Sequence, residues 1–186
     1  MRAHCPGYTL LEVLIAVVVL ALGIMGGTAL QMAALRARHE ATLLSQATEL
    51  AAALAERMRA NASQMRLADG DNLYLALNYD ALADAAPAPP AALCYGGSCG
   101  SAQLAEADLY EAQQLVRQAL PGGRVVICRD ASLWSGGKLR WPCSGGASAP
   151  VVVKVGWHGK HPDGKPAADQ TGEFMPAVAL PVGAIR

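Results

Sequence analysis

The sequence of 186 residues has no excess of charge of either sign and few aromatic residues. Its 15 basic and 15 acidic residues cancel, and Phe, Trp and Tyr together make up 5% of the chain. A nucleic-acid-binding protein needs clustered Lys and Arg to contact phosphates, so the neutral balance argues against that class. Disorder requires low hydrophobicity and high net charge, whereas this chain is 53% hydrophobic. The composition therefore predicts a folded protein of one domain, with at most an appendage.

The sequence also lacks the patterns typical of a catalytic or metal-binding domain. None of its glycine pairs precedes the Lys-Ser/Thr of a phosphate-binding loop, and it has no convincing Ser-His-Asp or paired-carboxylate pattern. His158, His161 and Asp163 share a loop rich in glycine, proline and charge. Nothing in the sequence fixes their geometry, so we favour a solvated loop over a metal site. We predict no enzyme activity, no cofactor and no metal.

The apolar residues are concentrated near the N-terminus. The 28 residues from Tyr8 to Leu35 contain a single charge, Glu12. As a helix this segment is roughly 42 Å long, compared with about 30 Å for the hydrocarbon core of a bilayer. Its length and composition therefore predict a helix that spans a membrane.

Three interpretations compete for this segment. A secretory signal peptide has an apolar region of about 7–15 residues before its cleavage site, which is shorter than this run. A plain membrane anchor leaves Glu12 unexplained, because a carboxylate at the bilayer centre costs about 2.5–3.5 kcal/mol and usually marks a function. The third interpretation accounts for both the short polar N-terminus and the glutamate, and it depends on a motif.

The stretch from Gly7 to Leu14, GYTLLEVL, resembles the class III signal of type IV prepilins. In that family a prepilin peptidase cuts after the glycine and methylates the new N-terminus. The resemblance therefore implies cleavage between Gly7 and Tyr8, with Tyr8 as the methylated residue. It also implies that Glu12 pairs with the N-terminal ammonium of a neighbouring subunit during assembly. Positions 8 and 12 are one helical turn apart on one face, which suits this role.

The helix is predicted to continue beyond the membrane. An apolar stripe at helical spacing is formed by Leu43, Ala47, Leu50, Leu54 and Met58. No glycine or proline interrupts residues 29–68, so we expect one helix from about residue 9 to about residue 65. Within the apolar run, Gly23, Gly26 and Gly27 permit either a local bend or simple close packing.

The rest of the chain predicts a small α+β head. Ser101 is a candidate N-cap for a helix that ends near Ala119, before a Pro-Gly-Gly turn. We expect this helix to have an apolar face formed by Leu104, Leu109, Leu115 and Leu120. Strands are expected at residues 124–130, at 134–141 as a hairpin that turns at Gly136-Gly137, at 151–157 and at 177–180. With the resemblance, these elements predict a pilin-like α+β fold: a long N-terminal transmembrane and spine helix on a small antiparallel sheet with a second helix.

The predicted organisation has four parts. Residues 1–7 form a leader that is cleaved, residues 8–35 a transmembrane and filament-core helix, residues 36–66 its amphipathic continuation, and residues 67–186 a periplasmic head domain. The number of cysteines fits an exported head, because Cys5 leaves with the leader and four remain: Cys94, Cys99, Cys128 and Cys143.

Four cysteines allow three disulfide connectivities. Proximity in the sequence favours Cys94–Cys99 and Cys128–Cys143. The spacings lack the paired CxxC units of a redox protein or a zinc site, which disfavours both of those interpretations.

Several segments also resemble the PilV-type minor pilins, known as type IV pilus modification proteins. They are the glycine-rich exit LGIMGG at 22–27, the LPGG turn at 120–123 with the valine-rich strand that follows, and the strand at 151–157. The resemblance implies a subunit of low abundance, without catalysis of its own, that helps to prime type IV pilus assembly for twitching motility and adhesion. Its implied place is the bacterial inner membrane, with a periplasmic head, and then the tip of the pilus.

The same resemblance implies partners of several kinds. They are other minor pilins, the major pilin, a pilus-tip adhesin, the prepilin peptidase, the inner-membrane assembly platform and membrane lipid, with no nucleic acid. Two alternatives stay open: a minor pseudopilin of type II secretion, and a membrane-anchored periplasmic redox or enzymatic domain.

Overall fold

The computed structural model of the protein describes residues 9–160, 165–166, 168 and 172–183. Within these residues the elements in chain order are α1 (Leu10–Ala60), α2 (Ala62–Met65), a 3-10 helix (Leu73–Ala76), β1 (Asn78–Asp80), α3 (Ser101–Ala119), β2 (Arg124–Arg129), β3 (Trp134–Ser135), β4 (Lys138–Leu139), β5 (Val151–Gly156) and β6 (Val178–Pro181). The predictions at Cys5, Gly7, Tyr8, His161 and Asp163 lie outside the described residues.

Four strands form one antiparallel sheet in the order β1-β2-β5-β6. β2 and β5 pair along their whole length, with Val125 opposite Val155 and Ile127 opposite Val153. These four side chains belong to the core that α1 covers, because alternate residues of a strand point to the same face. A long helix on an antiparallel sheet with a second helix is the α+β architecture predicted from the sequence, which is thereby confirmed.

The central strand β5 is buried on both faces. Val153 packs in the core on the α1 side, and the alternation of the strand points Val152 and Lys154 to the opposite face. Residues 130–150 cover that opposite face, and Trp141 and Ala149 of this segment are buried. Burial on both faces explains why β5 is a nearly continuous apolar run rather than an alternating one.

The second half of α1 packs against the sheet and α3. The predicted stripe is confirmed, since the residues less than a tenth exposed include Leu43, Ala47, Leu50, Leu54 and Met58. The predicted apolar face of α3 is confirmed in part, because Leu120 is buried and Leu109 packs against the core. Leu115 is 50% exposed, whereas Ala105, Ala112 and Val116 are buried. Small residues on α3 let its backbone approach α1 closely. A leucine side chain is too large for the space that remains at this close-packed contact.

The spine helix ends earlier than the sequence predicted. α1 stops at Ala60, because Asn61 leaves the helical region with φ −91° and ψ 54°, and the single-turn α2 follows. The Asn61 side chain is buried, and its amide donates to the carbonyl oxygen of Ser101 at 2.8 Å and to the Tyr74 hydroxyl at 3.2 Å. These contacts with distant parts of the chain satisfy an amide that a continuous helix would leave unpaired, so tertiary structure decides this boundary.

The start of α3 also corrects the sequence analysis. Gly100 is the N-cap, and its N–H donates to the Gln103 side chain at 3.0 Å, so Ser101 is the first helical residue rather than the cap. The β3–β4 hairpin was predicted correctly. It turns at Gly136 and Gly137, which have φ of 57° and 78°, and a left-handed conformation at both turn positions is what a glycine pair permits.

Candidate functional site

The first half of α1 is an apolar surface that the rest of the chain does not cover. From Thr9 to Leu35 none of the residues is buried, and most of them are aliphatic. Leu10 is 90% exposed and Leu30 74%. A helix that is apolar on all sides and buried on none requires an apolar environment from outside the chain, either lipid or other subunits.

This half of α1 has the length and composition to cross a membrane. Among the described residues, α1 is the helix that meets this test, with an 18-residue window whose mean hydropathy is 2.6 and of which no part is buried. The helix remains continuous through Gly23, Gly26 and Gly27, so none of the three interrupts it. A methyl group at any of them would meet no other atom within 4 Å, so these glycines form an open, flat side of the helix.

Glu12 lies in the first turn of α1, where Thr9 is the N-cap. The backbone N–H of Glu12 donates to the Thr9 hydroxyl at 3.3 Å and to the Thr9 carbonyl oxygen at 3.1 Å. A carboxylate at this position also interacts favourably with the positive end of the helix dipole. This local contribution was not predicted, although the Thr-x-x-Glu spacing signals it as part of a capping box. Glu12 therefore has both a local stabilising position and an exposed, unburied carboxylate.

The head meets α1 at a contact just above its apolar half. The Glu40 carboxylate accepts hydrogen bonds from the Trp157 indole N–H at 3.2 Å and from the backbone N–H of Lys160 at 2.8 Å. Near the other end of the contact, the Arg59 guanidinium donates to the carbonyl oxygen of Val182. These bonds join α1 to the chain after β5 and after β6, so the head has a fixed position on the helix.

A second polar cluster joins α1 to α3. Asp108 of α3 is buried and accepts hydrogen bonds from the Tyr74 hydroxyl at 2.6 Å and from Arg57 of α1 at 3.1 Å. Burial raises the pKa of Tyr74 above its usual value, and the hydrogen bond to the Asp108 carboxylate raises it further. Tyr74 therefore stays a neutral donor at any physiological pH. This cluster was not predicted from the sequence.

The third cluster is a fully buried ion pair on the opposite face of the sheet. Lys154 Nζ lies 2.6 Å from Asp130 Oδ2, and both side chains are completely buried. The ammonium also donates to the carbonyl oxygens of Arg140, Trp141 and Pro142. This network fastens the segment 130–150 onto β5.

The Asp130 carboxylate has several donors besides Lys154. Its Oδ1 atom accepts from the backbone N–H groups of Ser132 and Ser144, each at 3.0 Å. Burial alone raises the pKa of Asp130, but these hydrogen bonds and the one from Lys154 outweigh it and hold the pKa well below its usual value. This pair was not predicted either, although a single lysine within a buried valine strand signals a buried partner.

Two disulfides stabilise the head. The structure joins Cys94 to Cys99, with Cα atoms 5.9 Å apart, and Cys128 to Cys143, with Cα atoms 6.3 Å apart. The second bridge closes the loop that contains Asp130 and the β3–β4 hairpin, so it constrains the same segment as the buried ion pair.

The described part of the chain contains no group of three or more His, Cys, Asp or Glu side chains placed to hold a metal ion. His158, which the sequence analysis considered for such a site, stacks on Phe174 with ring centroids 3.8 Å apart. Its backbone N–H donates to the carbonyl oxygen of Pro121 at 2.8 Å.

Comparison with models of known protein families gives two matches for this chain. Residues 2–28 match the model of the prokaryotic N-terminal methylation motif, and residues 29–110 match the model Tt1218-like, described as type IV pilin Tt1218. The two matches are contiguous and together cover more than half of the chain. No curated protein and no solved structure matches it.

These matches agree with the geometry of α1. They indicate a structural protein that the N-terminal helix anchors in a membrane and that assembles with other pilins in a pilus or pseudopilus. The chain belongs to the type IV pilin family and carries its N-terminal methylation motif.

Proposed function

We propose that this pilin is a minor subunit that helps to prime assembly of the type IV pilus and thereby supports twitching motility and adhesion. The observation that carries the proposal is the first half of α1, an uncovered apolar helix that starts at a capped turn with an exposed glutamate. The resemblance of residues 22–27, 120–123 and 151–157 to PilV-type minor pilins supports the minor rather than the major role.

Processing is the first step of the proposed function. The prepilin peptidase removes residues 1–7 by cutting between Gly7 and Tyr8 and methylates Tyr8. Residues 8–35 then form the transmembrane and filament-core helix, residues 36–66 its amphipathic continuation, and residues 67–186 the periplasmic head. Before assembly the protein is in the bacterial inner membrane, and after assembly it is at the pilus tip.

Glu12 is the residue proposed to direct assembly. An unpaired carboxylate in a low-dielectric environment is costly, and an ammonium from another subunit compensates that cost. The new N-terminus at Tyr8 supplies this ammonium, and a neighbouring subunit receives it at Glu12. Because each subunit has one of each charge, the pairing sets a defined axial offset between adjacent helices.

The proposed partners follow from this arrangement. The apolar half of α1 contacts membrane lipid before assembly and the helices of the major pilin and of other minor pilins afterwards. The head is the part that remains free to contact a tip adhesin, and the inner-membrane assembly platform extracts the helix from the bilayer.

Glu12→Gln is the variant that tests the Glu12 proposal. The substitution keeps the size and hydrogen-bonding capacity of the side chain and removes its charge. We expect the variant to be processed but to be lost from sheared pili, while Glu49→Gln, on the exposed face of the second half of α1, enters them normally.

A Thr9→Ala variant separates the local role from the assembly role. It removes the hydroxyl that caps α1 and leaves the Glu12 charge, so we expect little loss from pili. Normal recovery of Glu12→Gln, or equal losses for the two variants, would refute a charge-specific role of Glu12.

Mass spectrometry of the purified protein tests processing. The proposal requires a chain that starts at Tyr8 and carries one methyl group, and an intact Met1 would contradict it.

A minor pseudopilin of type II secretion is the second candidate, because the family matches fit a pilus and a pseudopilus equally. Deletion of the gene separates them. Loss of surface pili and twitching with normal protein secretion supports the pilus subunit, whereas loss of secretion with normal pili supports the pseudopilin.

A further inference from the structure

A cavity of about 440 Å³ lies where α1 leaves its apolar half and meets the head. One wall is a single face of α1, because each of its lining residues 32, 35, 36, 39, 40 and 43 lies three or four residues from another of them. The other wall consists of Pro121, His158 and Lys160 of the head. A volume of this size is within the range of small-molecule sites.

The two ends of the cavity differ in chemistry. Met32 and Leu35 are at the end toward the N-terminus, and they are 53% and 58% exposed. Arg36, His39 and Glu40 follow on the same face, with Lys160 and His158 opposite. The cavity therefore has an apolar lower part that continues the uncovered surface of α1, and a polar upper part. In this upper part Arg36 and Lys160 outnumber the single carboxylate, Glu40, whose oxygens already accept hydrogen bonds from the Trp157 indole and the Lys160 backbone.

The head wall is built rather than incidental. His158 is held by its stacking on Phe174 and by its backbone bond to Pro121. Gly122, with φ +55°, has no room for a side chain, since a methyl group there would lie 2.8 Å from the His158 ring. The backbone of Lys160 is fixed by the Glu40 carboxylate, which accepts from that N–H and from the Trp157 indole.

The position of the cavity along α1 corresponds to the surface of a bilayer. About 20 helical residues cross the roughly 30 Å hydrocarbon core, and the headgroup layers extend the bilayer to about 40–45 Å. With the first residues of α1 at the opposite boundary, Met32 and Leu35 lie at headgroup depth and Arg36 and Lys160 at its outer edge.

We infer that this cavity binds the headgroup of an anionic phospholipid from the leaflet on the side of the head. The phosphodiester is placed between Arg36 and Lys160, and the glycerol backbone with the ester ends of its acyl chains lies along Met32 and Leu35. The inference rests on the membrane orientation in the proposed function and adds a lipid site at the junction of helix and head. A bound lipid there holds the head at a fixed height above the bilayer before assembly.

Lipid binding to the purified full chain in detergent tests this inference. Native mass spectrometry with phosphatidylglycerol and with phosphatidylcholine measures the affinity for an anionic and a zwitterionic lipid. We expect tighter binding of phosphatidylglycerol. The double variant Arg36→Gln/Lys160→Gln should lower that affinity roughly tenfold or more, because each basic residue near an anionic lipid surface contributes about a fivefold increase in binding.

A matched control removes the same charge elsewhere. Arg38→Gln/Lys138→Gln takes one arginine from another face of the same helix turn and one lysine from the exposed β3–β4 hairpin, and neither lines the cavity. We expect at most about a threefold loss from the general change in charge. Met32→Gln leaves all charges in place. It should weaken the binding of phosphatidylglycerol but not the binding of inorganic phosphate.

Equal losses in the two double variants, or no preference for phosphatidylglycerol, would overturn the inference. Complete displacement of phosphatidylglycerol by millimolar inorganic phosphate would identify a free-anion site and would also overturn it. These outcomes are separate from the proposed function, because they are measured on the isolated protein. A chain that loses its lipid preference but enters pili normally contradicts only the lipid site.

Discussion

The two halves of α1 are parts of one uninterrupted helix but have opposite relations to the rest of the chain. Residues 9–35 include no buried side chain, whereas the stripe from Leu43 to Met58 is almost completely buried against the sheet and α3. In the first half apolar residues surround the helix. In the second half they are confined to one face, and charges such as Glu49 and Glu56 are exposed.

The two halves also differ in how their charged side chains are paired. The first half contains Glu12, whose carboxylate is exposed and for which the proposed function assigns a partner in another molecule. The second half and the head pair their buried charges within the chain, as Asp130 does with Lys154. The comparison shows that the stability of the head is internal, while the first half depends on lipid or on other subunits. Substitutions in the head should therefore change unfolding, and substitutions in the first half should change assembly.

The largest effect on unfolding is expected from Asp130→Asn. The substitution leaves the Lys154 ammonium buried without a counter-charge, and breaking a buried pair in this way costs about 3–5 kcal/mol. Denaturant unfolding of the full chain in detergent measures the change. Asp69→Asn is the matched control, because it removes the same charge from the more exposed pair with Arg129, 2.8 Å apart, and should cost about 0–1 kcal/mol.

Acid provides an independent check on the same pair. The folded-state pKa of Asp130 is depressed, so the pair contributes its full stability above the unfolded pKa of about 4. That contribution is lost as the pH falls from there toward the folded pKa. The wild-type head should lose stability on acidification more steeply than Asp130→Asn. Parallel pH profiles for the two proteins would contradict the assignment.

The next effect is expected from the disulfides. Replacing both Cys128 and Cys143 by serine opens a loop between positions 15 residues apart. This change should lower the free energy of unfolding by about 3 kcal/mol. Removing the Cys94–Cys99 bridge, with a separation of 5, should cost about 2 kcal/mol. Because the longer loop also contains Asp130, combining its loss with Asp130→Asn should be non-additive. Strict additivity would show that the bridge and the ion pair do not constrain the same segment.

A smaller effect is expected from one substitution made in both halves of α1. Ala51→Leu adds bulk at a position with no exposed surface, and overpacking of this kind costs about 1–3 kcal/mol. Ala21→Leu makes the same change where the helix is uncovered, so the free energy of unfolding of the head should change by less than about 0.5 kcal/mol. Similar effects at the two positions would contradict the separation of the halves.

Local pattern and long-range contact explain which features could be predicted from the sequence. The apolar run, the stripe from Leu43 to Met58 and the turn at Gly136-Gly137 follow from neighbouring residues, and they were predicted correctly. The end of α1 at Asn61 depends on Tyr74 and Ser101, which are distant in the sequence, so no local pattern contains it.

The polar clusters of the head also depend on contacts between residues that are distant in the sequence. Asp130 and Lys154 are 24 residues apart, and Tyr74 and Asp108 are 34 apart. The two members of each pair come into contact only when the sheet and the helices have packed together. Glu12 is the reverse case: its motif was evident in the sequence, but the partner proposed for it belongs to another molecule.

The smallest change in unfolding is expected from the glycines of the uncovered half. A methyl group at Gly26 meets no atom within 4 Å, so Gly26→Ala and Gly26→Leu should each change the free energy of unfolding of the head by less than about 0.5 kcal/mol. Their effect on assembly should differ, because small residues let membrane helices approach closely and a leucine prevents it. We expect Gly26→Ala to enter sheared pili normally and Gly26→Leu to be depleted, with Ala21→Leu as the control for added bulk. Depletion of Ala21→Leu to the same extent would mean that bulk anywhere on the helix is excluded, and the glycine side of α1 would then have no special role in packing.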